Sequence, residues 1–241
     1  MVYPTKPILT LTFYKLETIH CTTINVMHTY VRTLQKVASR IAPSRILSFE
    51  TVHVLKTLQL IQERGHVSRH TLCKKLDLGE GTVKTLVKHL KIYDLIETDK
   101  TGTKTSEKGN KLLSELVLSM PAEIGISTCS VALGKFNYAI LLKQMSYVIR
   151  TGIEQRDAAI KMNALGATTL VFKDKRFMIP NTNFDALHKE QKLHTLLVEG
   201  LSPEEDDVLI IGSDNKSERR AEFAAKSAAL VTIMNHDKHV F

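Results

Sequence analysis

The sequence predicts an α+β protein in which an N-terminal winged helix-turn-helix is followed by a C-terminal α/β sandwich domain. Between Ser68 and Gly109, two short helical patterns joined by a tight turn lead into a hairpin pattern. After Pro121, strand-like runs alternate with amphipathic helices, which is typical of a sheet covered by helices. The 241 residues, 43% hydrophobic and 24% charged, are enough for two modest cores. We therefore predict an extension over residues 1–42, a winged domain over 43–120 and an α/β domain over 124–241.

The first helix of the motif begins after Ser68, a residue type suited to the N-cap, and it places Leu72 and Leu76 on one face. Residues 77–81 form the turn, in which Gly79 and Gly81 are expected to adopt backbone angles that other residues resist. The second helix is predicted over residues 82–93. Its apolar stripe consists of Val83, Leu86, Val87 and Leu90.

The winged part follows directly. Residues 95–99 alternate weakly like a strand, residues 100–102 supply a turn with a glycine, and residues 103–105 can return as the partner strand. A final helix opens at Ser106 and carries several leucines, while an apolar helical pattern from Phe49 to Ile61 marks the first helix of the domain. All parts of a winged helix-turn-helix thus occur in the expected order.

Charge supports the same prediction independently. The chain has a formal net charge of +8, and residues 1–120 hold 18 Lys or Arg against 10 Asp or Glu. The remaining residues hold 15 of each, so the whole excess belongs to the half that contains the motif. A lysine-rich helix face is often only a solvated surface. Together with the order of elements, however, this distribution favours binding of double-stranded DNA.

The predicted DNA-contacting residues lie on the two helices of the motif and on the wing. Lys84, Thr85 and Lys88 are expected in the major groove, and Lys100 and Lys104 near the DNA backbone or minor groove. The complete predicted set is Arg69, Thr82, Lys84, Thr85, Lys88, Lys91, Lys100 and Lys104. A single recognition helix reads only a few base pairs, so a homodimer is expected.

The second domain is predicted to contain strands and helices in alternation. The predicted strands are residues 128–133, 138–142, 167–172, 177–179 and 207–211, and the predicted helices are residues 153–164, 184–198 and 218–234. Two polar clusters fall at junctions between these elements, where such folds often bind ligands.

The first polar cluster follows Gly152 and comprises Gln155, Arg156 and Asp157 at a helix start, where free backbone N–H groups could hold a small anionic or polar metabolite. The second cluster contains Ser213 and Asp214 after an apolar strand. Both clusters have a simpler interpretation, in which the charged residues only complement the helix end and the second cluster is a turn with an N-cap.

Other function classes find little support in the sequence. Three widely spaced cysteines make neither a disulfide framework nor a zinc ribbon, and no apolar run is long enough to span a bilayer. Motifs of the types GxSxG, GKS or GKT, and HExxH are absent. His236 and His239 are more easily explained as a polar tail than as metal ligands. We therefore predict a cytoplasmic protein that is not an enzyme, with no membrane contact, catalytic residue, metal ligand or cofactor.

The N-terminal extension has two open interpretations. Residues 8–13 resemble a strand and a helical pattern follows, but no motif appears. Translation could begin at Met27, leaving residues 1–26 untranslated. Alternatively, the helix that flanks the winged domain could form a dimer contact.

Residues 152–160, residues 166–171 and the dipeptide Ile179-Pro180 resemble an archaeal family in which an N-terminal winged helix precedes a C-terminal domain of unknown function. The resemblance covers about residues 42–234 and implies a DNA-binding transcriptional regulator. No active site accompanies that family, so no catalytic role is transferred. The expected function is therefore DNA binding, with the C-terminal domain sensing a small ligand or dimerising. The alternatives are a winged-helix module that binds proteins and an enzyme of unknown chemistry in the C-terminal domain.

Overall fold

The structure, a computed structural model, describes residues 29–41 and 46–235. Its N-terminal half contains helix α1 over residues 29–37, three further helices, a hairpin and a fifth helix. The bounds are α2 Thr51–Arg64, α3 Arg69–Leu76, α4 Glu80–Ile92, β1 Ile96–Thr98, β2 Thr103–Thr105 and α5 Glu107–Ser119. The strand predicted at residues 8–13, the alternative start at Met27 and the histidines at 236 and 239 lie outside the described residues.

The turn between α3 and α4 differs from the prediction. Neither Gly79 nor Gly81 has a positive φ; Asp77 instead takes the left-handed conformation, at φ 59°. Asp tolerates this conformation better than most residues because its short side chain bonds locally. Gly79 is the N-cap of α4 at φ −63°, and Gly81 lies within the first helical turn. The expectation that the glycines supply the unusual backbone angles was therefore wrong.

The caps and the apolar stripe of the motif agree with the sequence. The Thr71 amide donates a hydrogen bond to Oγ of Ser68, which confirms Ser68 as the N-cap of α3. On α4, Val83, Leu86 and Leu90 are completely buried, as the helical period predicted. Val87 is only half-buried, because it lies toward the hairpin at the edge of the stripe.

A glycine allows α5 to pack closely on the entrance to the hairpin. A Cβ atom at Gly109 would lie 2.1 Å from the backbone oxygen of Leu95, the residue that precedes β1. The same oxygen accepts a hydrogen bond from the Ser106 amide at the N-cap of α5. These contacts fix the hairpin against the helical part of the domain.

The C-terminal half is built on a five-stranded sheet with the order β3-β4-β7-β5-β6, in which every neighbouring pair is antiparallel. The bounds are β3 Glu123–Ile126, β4 Phe136–Leu142, α6 Ile153–Lys161, β5 Gly166–Lys173, β6 Arg176–Met178, α7 Gln191–Leu201, β7 Val208–Asp214 and α8 Glu218–Asn235. A short 3-10 helix spans Ser146–Val148. The antiparallel sheet and its separate helices place the chain in the α+β class, as predicted.

Several C-terminal elements were misjudged. Residues 128–133, predicted as a strand, form no strand, whereas β3 was not predicted at all. The helix predicted over 184–198 begins only at Gln191, because residues 185–189 form a bridge and turns. The apolar residues at 128–133 contact the core as a loop, which a run of apolar residues does not distinguish from a strand.

Side chains alternate between the two faces of the sheet. Ala139 and Leu141 of β4 belong to the cluster covered by α7, whereas Ile140 and Leu142 belong to the cluster shared with α8. Gly212 of β7 lets α8 approach the sheet closely, since a Cβ atom there would lie 2.3 Å from the Ala221 oxygen. The sheet is therefore buried on both faces.

The two halves share one apolar core across the α2–α8 contact. The rings of His53 on α2 and Phe223 on α8 meet edge to face with their centroids 5.0 Å apart. The position of the helical motif is thus tied to the C-terminal domain. Among the described residues, the structure contains no helix with both the length and the apolar character needed to span a bilayer.

Candidate nucleic-acid interface

A cationic groove runs between α4 and the β1–β2 hairpin. Its volume is about 780 Å³, and five of the residues predicted to contact DNA line it. They are Arg69, Lys84, Thr85, Lys88 and Lys91. The other three predicted residues, Thr82, Lys100 and Lys104, do not line the groove. Tertiary structure thus brings the start of α3, one face of α4 and the hairpin together around one concave surface.

The lysines of α4 are presented outward because the opposite face of the helix is buried. Lys84 and Lys88 are exposed, while Leu86 between them is completely buried. Lys91 bends toward the hairpin, where its Nζ donates a 2.8 Å hydrogen bond to Oγ1 of Thr98. The Thr85 hydroxyl donates to the Gly81 oxygen at 3.0 Å, so only its lone pairs remain available to a ligand.

The hairpin holds one predicted lysine in an ion pair and leaves another exposed. Lys104 lies opposite Glu97 in the strand register, and its Nζ is 3.1 Å from the Glu97 carboxylate. The hydrogen bond from Lys104 to Glu97 raises the pKa of Lys104. Lys100 is exposed at the turn of the hairpin. The hairpin tip therefore presents one exposed lysine, Lys100, to solvent.

Sequence reasoning missed Asp99, which lines the groove. Its carboxylate accepts hydrogen bonds from the Thr101 hydroxyl, the Thr101 amide and the Gly102 amide. The Thr101 hydroxyl bond, followed by the Thr101 amide bond, lowers the pKa of Asp99 to about 2. An Asp two and three residues before a Thr and a Gly is a pattern for such a turn. Asp99 therefore shapes the hairpin and adds one negative charge to a cationic surface.

Arg69 connects the starts of the two motif helices. Its guanidinium lies 3.6 Å from the Glu80 carboxylate in the first turn of α4, and both side chains are more than half exposed. A surface pair of this kind contributes at most about 1 kcal/mol to stability. The pair leaves Arg69 able to turn toward an incoming phosphate.

The second set of predicted residues is engaged mostly in the packing of the C-terminal domain. Gln155 is 2% exposed and its Nε2 donates to Oγ1 of Thr232 on α8. Ser213 is fully buried, and its Oγ accepts from the Leu133 amide. Asp214 accepts from the amides of Lys216 and Ser217, as a turn-forming Asp does.

Arg156 and Asp157 lie in different surroundings and share no site. The Arg156 side chain packs beside Gly166, where a Cβ atom would lie 3.3 Å from its Cγ. Asp157 lines a different cavity of about 640 Å³ between α6, α8 and the start of α2. The five residues predicted to bind a ligand therefore do not line one cavity. Nor do the described residues contain a group of three or more His, Cys, Asp or Glu side chains arranged to hold a metal ion.

Comparisons with known proteins cover both halves of the chain. Residues 50–111 match the family described as PH0730-like, N-terminal domain, and residues 133–233 match the family described as a domain of unknown function (DUF4443). The structure is similar to a solved structure, the hypothetical protein PH0730 from Pyrococcus horikoshii OT3. The two are 25% identical with a TM-score of 0.61, over 80% of this chain and 96% of that one. No curated protein matches the sequence. The chain thus combines a PH0730-like N-terminal domain with a C-terminal DUF4443 domain, in the arrangement of a two-domain family that includes an archaeal structural neighbour.

Proposed function

We propose that residues 50–119 form a winged helix-turn-helix that binds double-stranded DNA, and that the protein is a transcriptional regulator. In this proposal α4 enters the major groove and the β1–β2 hairpin is the wing. The single observation that carries it is the groove in which Arg69, Lys84, Lys88 and Lys91 converge. Four cations on a concave surface beside a protruding hairpin suit the phosphates that flank a major groove.

The C-terminal domain is proposed to regulate this binding, by responding to a small ligand or by holding two copies together. The shared core supports a regulatory role, because α8 packs directly against α2. A homodimer would place two α4 helices on successive half-sites and supply the affinity that one helix lacks.

The test is binding of the purified full chain to a random-sequence duplex, followed by fluorescence anisotropy between about 50 and 200 mM salt. Dissociation constants should rise steeply with salt, and Lys88→Ala should lower the slope of the log-log plot by about one. The matched control is Lys111→Ala, which removes an exposed lysine of α5 that lies outside the groove.

A protein-interaction module built on the same scaffold predicts a different result. Its affinity for duplex DNA would be negligible even at low salt. Equal losses for Lys88→Ala and Lys111→Ala would show diffuse attraction by net charge, and would also contradict the proposed groove.

A further inference from the structure

A third cavity lies between the two domains, on a different surface from the groove beside α4. It has a volume of about 990 Å³. Its walls come from α2 and α3 of the N-terminal domain. In the C-terminal domain they come from the end of β3, the loop that follows it, β4 and α8. We call this cavity the interdomain cleft.

The interdomain cleft is rich in cations. Six Lys or Arg residues line it, against three Glu residues. The cations are Lys56, Arg64, Lys74, Lys75, Lys135 and Arg219, and the acids are Glu63, Glu218 and Glu222. Within the described part of the chain, four of these cations make no ion pair: Arg64, Lys74, Lys75 and Lys135. All four are exposed and come from three separate segments that only the fold brings together.

The acidic residue at the base of the cleft is already balanced. The Glu222 carboxylate lies 2.6 Å from Nζ of Lys56 and 2.7 Å from Nζ of Lys226. Two ammonium groups on one carboxylate leave little negative field to oppose an incoming anion. The four free cations outnumber the two remaining acids of the cleft, Glu63 and Glu218, so the cleft favours anions.

Arg219 connects the interdomain cleft to the turn before α4. Its Nη2 lies 2.5 Å from the Asp77 carboxylate, and its Nη1 donates to the Lys74 oxygen at 3.3 Å. Asp77 is the left-handed residue of the turn between α3 and α4. One arginine at the start of α8 thus holds the C-terminal end of α3 and the turn that positions the proposed recognition helix.

We propose that the interdomain cleft binds a small, multiply charged anion of the phosphate type, and that the bound anion competes with Asp77 for Arg219. Guanidinium binds phosphate oxygens through two parallel hydrogen bonds, and the neighbouring lysines add point charges around them. When Arg219 turns to the anion, the α3–α4 turn loses its clamp and affinity for DNA falls. This second step rests on the proposed DNA binding; the anion site itself does not.

The site is tested with inorganic tripolyphosphate and the full chain, by calorimetric titration without DNA. Lys75→Ala should weaken binding by about tenfold, the effect of losing one charge-assisted hydrogen bond. Two matched lysine variants should bind as the parent does: Lys111→Ala, exposed on α5 and outside both cavities, and Lys192→Ala, exposed on α7. Absent binding at millimolar tripolyphosphate overturns the site, as does equal weakening by all three variants or a Lys75→Ala variant that binds as the parent does.

Asp77→Asn tests the coupling through Arg219. Asn retains the left-handed conformation but removes the competing charge. Tripolyphosphate should therefore bind more tightly to the variant while duplex DNA binds more weakly. If only net charge mattered, removal of the carboxylate would strengthen the binding of both tripolyphosphate and DNA. Tighter DNA binding by Asp77→Asn therefore overturns the coupling. If the parent binds tripolyphosphate in the cleft but no DNA, the DNA-binding function fails while the anion site stands.

Discussion

The Lys226 ammonium on α8 donates a 2.6 Å hydrogen bond to Oε1 of Gln59 on α2, across the boundary between the two domains. Lys226 is only 1% exposed, and it also lies 2.7 Å from Glu222 and 3.0 Å from Glu123. Its charge is therefore buried with all three hydrogen-bond donors close to acceptors, an arrangement that joins α2, β3 and α8 at one point.

Removing this buried charge should destabilise the protein strongly. Lys226→Ala leaves Glu123, Glu222 and Gln59 without their shared partner and opens space in the core, so we expect a loss of about 3–5 kcal/mol. Urea denaturation measures it. Lys192→Ala, an exposed lysine on α7, should change stability by less than about 0.5 kcal/mol. A loss as small in Lys226→Ala as in this control would show that the network contributes nothing.

Acid should destabilise the folded protein through protonation of His53. Burial lowers the pKa of His53 from 6.5 to about 4. Its Nδ1 accepts a 2.9 Å hydrogen bond from the Glu50 amide, which protonation of that nitrogen would break. The pKa of His53 is lower in the folded protein than in the unfolded chain. The free energy of unfolding therefore has its full value above pH 6.5 and decreases as the pH falls toward 4. The whole effect is on the order of 3 kcal/mol.

Urea denaturation at a series of pH values between 7 and 4 measures how far the free energy of unfolding falls. The fall should be smaller in a His53→Gln variant than in the parent. The Gln side chain still offers an acceptor to the Glu50 amide but does not titrate. Identical pH profiles for the parent and His53→Gln would assign the acid sensitivity to other groups.

Two helical glycines should respond to alanine with opposite signs. A Cβ atom at Gly81 meets no atom within 4 Å, so Gly81→Ala should stabilise α4 by about 0.5–1 kcal/mol. A Cβ atom at Gly109 meets the Leu95 oxygen at 2.1 Å, so Gly109→Ala must displace the hairpin or α5 and should lower the melting temperature. Thermal denaturation of both variants decides the matter, and equal shifts would contradict the described packing.

Substitutions on the two faces of α4 should have different effects, one on stability and the other on DNA binding. Leu86 is completely buried, and Leu86→Ala should cost about 2–5 kcal/mol. Lys84→Ala, two residues away on the exposed face, should leave the melting temperature unchanged and weaken DNA binding. An unchanged melting temperature for Leu86→Ala would mean that the faces of α4 have been assigned wrongly.

Local features were predictable where the responsible interactions lie within a few residues of one another. Hydrogen bonding and the periodicity of apolar residues over short segments explain three such features. They are the N-cap at Ser68, the buried positions of α4 and the hairpin at residues 96–105. The same reasoning failed at residues 128–133, because an apolar loop that covers a core has the composition of a strand. It failed at Gly79 and Gly81, where the turn depends on Asp77.

By itself, the sequence determined the α+β class, the order of helices and hairpin in the first domain, and the confinement of positive charge to that half, since each depends on local pattern or composition. Only the tertiary structure decided that Gln155 and Ser213 are buried in packing, and that Arg219 reaches Asp77. It also decided that cations from α2, α3 and the loop before β4 surround one cleft. Such contacts join residues that are far apart in the sequence, and the hydrogen-bonded pair of Gln59 and Lys226 is separated by 167 positions. Pairing at that separation depends on how whole elements pack.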